Sequence, residues 1–115
     1  MKTIILDTNF ILWCLEHKID FERELERICS FLYTIAVLKK TTQELQEIKH
    51  PKAKIAMQLI KRYVQIETPG AGYTDDDICL LDQKTHILAT QDQHLKRRWK
   101  GQKITVRDKS HLELK

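Results

Sequence analysis

Short apolar runs alternate along this chain with stretches in which apolar residues recur every three or four positions. The first run, Thr3-Ile4-Ile5-Leu6, ends on Asp7, and a second, Tyr33 to Leu38, ends on two lysines. Read by periodicity, the pattern predicts strands at 3–7, 33–38, 64–67, 86–90 and 103–107. Helices are predicted at 9–17, 21–32, 42–49, 51–64, 75–84 and 92–100. In the second helix Phe21, Leu25, Ile28 and Leu32 share one face. In the fourth, Pro51 suits the first turn, and Ala53, Ala56, Leu59, Ile60 and Tyr63 form the stripe. Pro69-Gly70-Ala71-Gly72 marks a loop. The tail after Asp108 is open between irregular chain and a short extra strand. Short apolar strands separated by helices predict an α/β fold whose central sheet has about five parallel strands. A chain of 115 residues makes one domain, 1–115, able to bury a core without disulfides or metal staples.

Parallel strands all point one way, so their C-terminal ends share an edge, where ligands sit in open α/β sheets. Asp7 ends the first strand there. Glu44, the triplet Asp75-Asp76-Asp77 and Asp92 fall where later elements open on the same edge. Helix capping explains Asp7, Asp75 or Asp92 taken singly, and Thr41-Thr42-Gln43-Glu44 can be a capping arrangement. Taken together, however, several carboxylates on one rim repel unless a cation lies between them. Oxygen ligands without neighbouring His or Cys suit Mg²⁺ or Mn²⁺. Such ions stabilise charge on phosphate oxygens and activate water. Asp7, Asp75, Asp76 and Asp92 are the candidate metal ligands, and with Glu44 they form the candidate catalytic set. Whether Asp75 or Asp76 is the third ligand stays open, and Asp77 is expected to point elsewhere.

Charge and cysteine usage sharpen this picture. Net charge is +4, yet residues 92–115 hold eight Lys/Arg against three Asp/Glu, while residues 1–91 are nearly balanced. A basic strip beside an acidic cluster suits a polyanionic substrate, although a solvated helix face has the same look. Cys14, Cys29 and Cys79 form no C-x-x-C pair, which excludes a zinc ribbon and suits a reducing cytoplasm. Asp7 interrupts the first apolar run, and the next, Phe10 to Leu15, is too short to span a bilayer, so no signal peptide or membrane span is expected. The three glycines make no phosphate-binding loop. A receiver domain needs an acid pair after its first strand. A haloacid-type phosphatase needs Asp-x-Asp, and Asn9 occupies that second position.

These residues resemble the PIN-domain endoribonucleases. Ile5-Leu6-Asp7-Thr8-Asn9-Phe10 is similar to their first motif and Gln43-Glu44-Leu45 to the second. Gly72-Tyr73-Thr74-Asp75-Asp76 resembles the third and Ala89-Thr90-Gln91-Asp92 the fourth. His94-Leu95-Lys96-Arg97-Arg98 points to the branch holding the eukaryotic small-subunit processome rRNA endonuclease and its single-domain archaeal relatives. The resemblance implies a three-layer α/β/α, Rossmann-like PIN domain that cuts single-stranded RNA with Mg²⁺ or Mn²⁺, in rRNA processing or as a toxin. It implies that Thr8, Asn9 and Thr90 orient the ligands and that Lys96, Arg97, Arg98 and Lys100 meet the RNA backbone. A homodimer, an antitoxin or a ribosome-assembly partner would fit the same family. Trp99 could stack on a base, but its spacing from Leu95 is that of core residues. The rival reading is an inactive PIN-fold subunit that binds RNA or supports assembly.

Overall fold

The computed structural model describes residues 1–68 and 72–115. The elements run β1 (Lys2–Leu6), α1 (Thr8–Glu16), α2 (Phe21–Ile28), β2 (Tyr33–Leu38), α3 (Lys39–Glu47) and α4 (Ala53–Ile60). Then come β3 (Val64–Ile66), α5 (Thr74–Cys79), β4 (His86–Ala89), α6 (Gln93–Arg98), β5 (Lys103–Arg107) and β6 (His111–Leu114). One six-stranded sheet has the order β3-β2-β1-β4-β5-β6. The first five strands are parallel, and β6 pairs antiparallel with β5.

Alternation along β1 explains the layers. Ile4 and Leu6 face one side, and Ile5 faces the other. On the first side they pack with Phe10, Ile11, Leu25, Leu45, Ala56 and Ile60 from the helices α1 to α4. On the second side Ile5, Ala36, Leu38 and Leu88 meet Ile78 of α5, Leu95 of α6 and Trp99. A strand buried on both faces reads as continuously apolar, as Ile4-Ile5-Leu6 does. Trp99 is fully buried, and its indole N–H donates to the Gln102 carbonyl at 3.0 Å. Among the described residues no helix is long and apolar enough to cross a membrane.

Several boundaries differ from the sequence pattern. The second helix ends at Ile28, because Cys29 is already extended and the chain must turn into β2. Leu32 is therefore 77% exposed rather than on the helix stripe. Helix α3 starts at Lys39, directly on the end of β2, and its N-cap is Leu38. The Thr41-Thr42-Gln43-Glu44 capping arrangement is thus not formed. Helix α4 is shorter than its pattern, with Pro51 and Lys52 in a turn before it. Helix α5 closes after six residues and α6 after six. Of the predicted loop, Pro69, Gly70 and Ala71 lie outside the described residues.

The tail forms a sixth strand. It reverses through a tight turn in which Asp108 and Lys109 take φ of 53° and 55°, closed by Ser110 N–H to the Arg107 carbonyl. At the outer edge of β6, helix α2 supplies side chains in place of another strand. Glu24 Oε1 accepts from Leu112 N–H at 2.8 Å, and Arg27 donates to the Leu112 carbonyl at 2.9 Å. Arg27 and Glu24 are themselves joined by two hydrogen bonds.

Candidate active site

The parallel strands β1 and β4 deliver Asp7 and Thr90 to one edge, and that adjacency builds the centre of the site. Asp7 occupies the N-cap position of α1, yet among the described residues its carboxylate makes no capping hydrogen bond. It is only 4% exposed, and its Oδ2 accepts from the Thr90 hydroxyl at 2.9 Å. Burial pushes its carboxyl up to about 6, against the Thr90 bond, with Asp75 and Glu44 repelling it further. An acid held this way, without a positive neighbour among the described residues, is a recurrent sign of a functional site.

Asp7 sits in a cleft of about 460 Å³ lined by Thr8, Asn9, Glu44, Gly72, Tyr73, Thr74, Asp75 and Asp92. Four carboxylates face this space, and among the described residues no Lys, Arg or His lines it. Thr90 also ties the rim together, since its oxygen accepts from Asp92 N–H at 3.1 Å. Asp92 does cap its helix: one oxygen accepts from His94 N–H and Leu95 N–H. Asp92 thus both caps its helix and lines the cleft. Glu44, exposed on α3, accepts from the Thr74 hydroxyl at 2.5 Å. Thr8 is buried with a hydroxyl that lacks a partner among the described residues, and Asn9 stands exposed on the wall.

The acidic triplet separates by helix geometry, because successive residues on α5 diverge by about 100°. Asp75 enters the cleft, and partial burial, with Asp92 nearby, raises its carboxyl. Asp76 lies outside the lining and pairs with Arg98 at 2.8 Å. Asp77 points into the body of the protein, as expected of the spare acid. It is 2% exposed, paired with Lys40 and bonded by the Thr68 hydroxyl at 2.7 Å. Lys40 and then Thr68 hold its carboxyl below the usual range. Lys40 also donates to the Gly72 carbonyl at 2.9 Å.

Lys40 and Thr74, and the pairing of Lys40 with Asp77, are contacts that the sequence pattern does not single out. A partial signal is present: two lysines in the first turn of a helix oppose its dipole and call for acids nearby. The structure supplies Glu67 to Lys39 and Asp77 to Lys40.

The basic strip runs down α6 away from Asp92. Arg97 is exposed and Lys96 half-buried, its ammonium lowered by burial and by Lys115. Arg98 is engaged with Asp76, and Lys100 donates its ammonium to the Arg97 carbonyl.

The donors on the rim are all oxygens, so the chemistry of the set fits a hard divalent ion. Among the described residues no three acidic, histidine or cysteine side chains stand close enough to share one ion. Mg²⁺ needs less than that, because it binds through one or two carboxylates and keeps waters for the rest.

The chain and its six-stranded, mostly parallel sheet have clear counterparts among known proteins. Residues 4–109 match the family described as PIN like domain, and the chain belongs to the PIN-domain family. It is 30% identical over 128 aligned positions to ribonuclease VapC4 of Methanocaldococcus jannaschii, covering 99% of this chain and 97% of that protein. It is 32% identical over 100 positions to the rRNA-processing protein fcf1 of Schizosaccharomyces pombe. That match covers 83% of this chain and only 52% of fcf1. The solved PIN domain endonuclease Utp24 has the same fold, with a TM-score of 0.85 at 24% identity over 98% of this chain and 90% of that one.

Proposed function

We propose that this protein is a metal-dependent endoribonuclease that cuts single-stranded RNA at the Asp7 cleft. The observation that carries the reading is Asp7 itself: a buried carboxylate, spared from capping, among three like-charged neighbours. A cation at this point would relieve the repulsion and the burial cost together. The family and the ribonuclease relative support the same chemistry.

In this reading Asp7, Asp75 and Asp92 surround Mg²⁺ or Mn²⁺, no more than two of them directly and the rest through waters that the ion keeps, and Glu44 orients a water from across the cleft. Asp76, paired with Arg98, steadies α5 rather than ligating. Thr90 fixes Asp7 through its hydrogen bond, and Thr8 and Asn9 face the phosphate. The bound ion supplies positive charge to a phosphate oxygen and makes water a better nucleophile. Glu44 sits exposed, where it can take a proton from that water. Purified protein incubated with single-stranded RNA, with Mg²⁺, with Mn²⁺ and with chelator, tests the proposal. Cleavage that is absent with chelator and restored by either ion is expected, and equal cleavage under all conditions would sink it.

Millimolar Mg²⁺ or Mn²⁺ should also raise the melting temperature. An ion that binds only the folded state stabilises by about 1.4 kcal/mol at roughly ten times its Kd. The shift should vanish in Asp7→Asn/Asp92→Asn, where Asn keeps the helix cap. An equal shift in both proteins would place the ions elsewhere.

Lys96 and Arg97 are the members of the strip to test for phosphate contact, since Arg98 and Lys100 already have partners. Replacing both with Ala should weaken RNA binding for all sequences alike. The log–log salt slope should flatten by about 0.7 per lost phosphate contact. A slope identical to wild type would mean that RNA reaches the cleft by another side.

A further inference from the structure

Among the described residues Tyr73 is the one aromatic residue of the cleft wall; the others that line it are carboxylates, small polar residues and Gly72. It is 83% exposed, and among the described residues no other Phe, Tyr or Trp is exposed. Trp99, the other stacking candidate, is buried with its indole N–H satisfied, and Phe10 and Phe21 lie in the core.

The backbone beneath Tyr73 is fixed although its ring is free. Its carbonyl accepts from Asp76 N–H and Asp77 N–H, which makes it the N-cap of α5. On one side Lys40 holds the Gly72 carbonyl, and on the other Thr74 is bonded to Glu44. Tyr73 thus stands two residues before Asp75 in the same wall. On this pinned backbone only the two side-chain torsions of the ring are left to order on stacking.

We propose that Tyr73 is the platform on which the base next to the bound phosphate stacks, and that it makes the cleft select unpaired RNA. This rests on the endoribonuclease reading and adds the feature that reads the substrate. A base in a duplex has its faces covered by its neighbours, so only an unpaired base can present one to the ring. Stacking of this kind tolerates any base, because every base has a π-face. The preference is therefore for single strands rather than for a sequence.

The test uses the full chain and a short single-stranded RNA carrying 2-aminopurine, alone and annealed to its complement. With Ca²⁺ in place of Mg²⁺, binding is read as quenching of the 2-aminopurine fluorescence; with Mg²⁺, cleavage is read as KM and kcat. Tyr73→Ala should lose the quench and bind the single strand about ten- to a hundredfold more weakly. The loss should fall on KM rather than kcat, and discrimination against the duplex should shrink. Tyr73→Phe and Tyr73→Trp should restore all three, which a merely structural role of the hydroxyl would not allow. If the wild type cuts RNA and Tyr73→Ala matches it in quench and KM, the platform is overturned and the nuclease reading stands. If the wild type quenches through Tyr73 but does not cut, the platform stands and the nuclease reading falls. An RNA that the wild type neither binds nor cuts overturns both.

Discussion

Asp7→Asn is expected to abolish RNA cleavage while making the metal-free protein more stable. The stability effect follows from a carboxyl raised from 3.8 to about 6 by burial and only partly relieved by Thr90. Above pH 6 the group is ionised in both folded and unfolded chains, and the folded state carries the full burden. As pH falls from about 6 toward 4, the folded state takes up the proton first and stability recovers. Metal-free wild type should therefore lose stability as pH rises through this window, on the order of 2 to 3 kcal/mol from this group. Asp7→Asn should lack that loss, because its amide is neutral throughout and can still accept from Thr90. Denaturant unfolding in chelator at several pH values, compared between the two proteins, measures the difference directly. Full cleavage by the variant would remove Asp7 from the catalytic set. A variant less stable than wild type at neutral pH would show that the carboxylate supports the fold.

The second large effect is expected from Lys40→Met. This change keeps most of the buried stem but leaves Asp77 charged, enclosed and, among the described residues, held by the Thr68 hydroxyl without a cation. Breaking an enclosed ion pair from one side is far more damaging than removing both charges. The melting temperature should fall by about 10 °C or more. Lys40→Met/Asp77→Asn should regain most of the loss. Because Lys40 also holds the Gly72 carbonyl, the single variant should impair cleavage beyond its loss of stability, even at temperatures where it stays folded. A double variant as unstable as the single one would show that the lysine acts through packing instead.

The sheet edge was legible because parallel direction is fixed by the order of strands and helices. Once Asp7 is placed at the end of β1, Thr90 and Asp92 have to follow at the end of β4. Glu44 is harder to place, since the helix carrying it starts three residues earlier than its pattern, on a lysine pair that no capping rule favours. Sequence sets Asp77 apart from the triplet but does not choose between Asp75 and Asp76. Its three side chains differ only in direction, and direction depends on where α5 begins. With Tyr73 as its cap, Asp75 faces the cleft, Asp76 meets Arg98 and Asp77 turns inward to Lys40. The sixth strand is hidden for a related reason. Asp108-Lys109 lacks the glycine that normally announces a left-handed turn, and pairing with β5 overrides that local preference.

The Glu24–Arg27 clasp on Leu112 has a consequence for how these molecules meet one another. A sheet margin normally offers free N–H and C=O groups to any passing strand, which invites polymerisation. Here an inner residue of β6 already has both groups occupied by a carboxylate and a guanidinium. An incoming strand would have to displace a bidentate ion pair before it gained its first backbone bond there. The opposite margin, β3, is only three residues long. One border is thus plugged and the other too short to template growth, so the sheet can stay closed to edge-to-edge addition when local concentration is high.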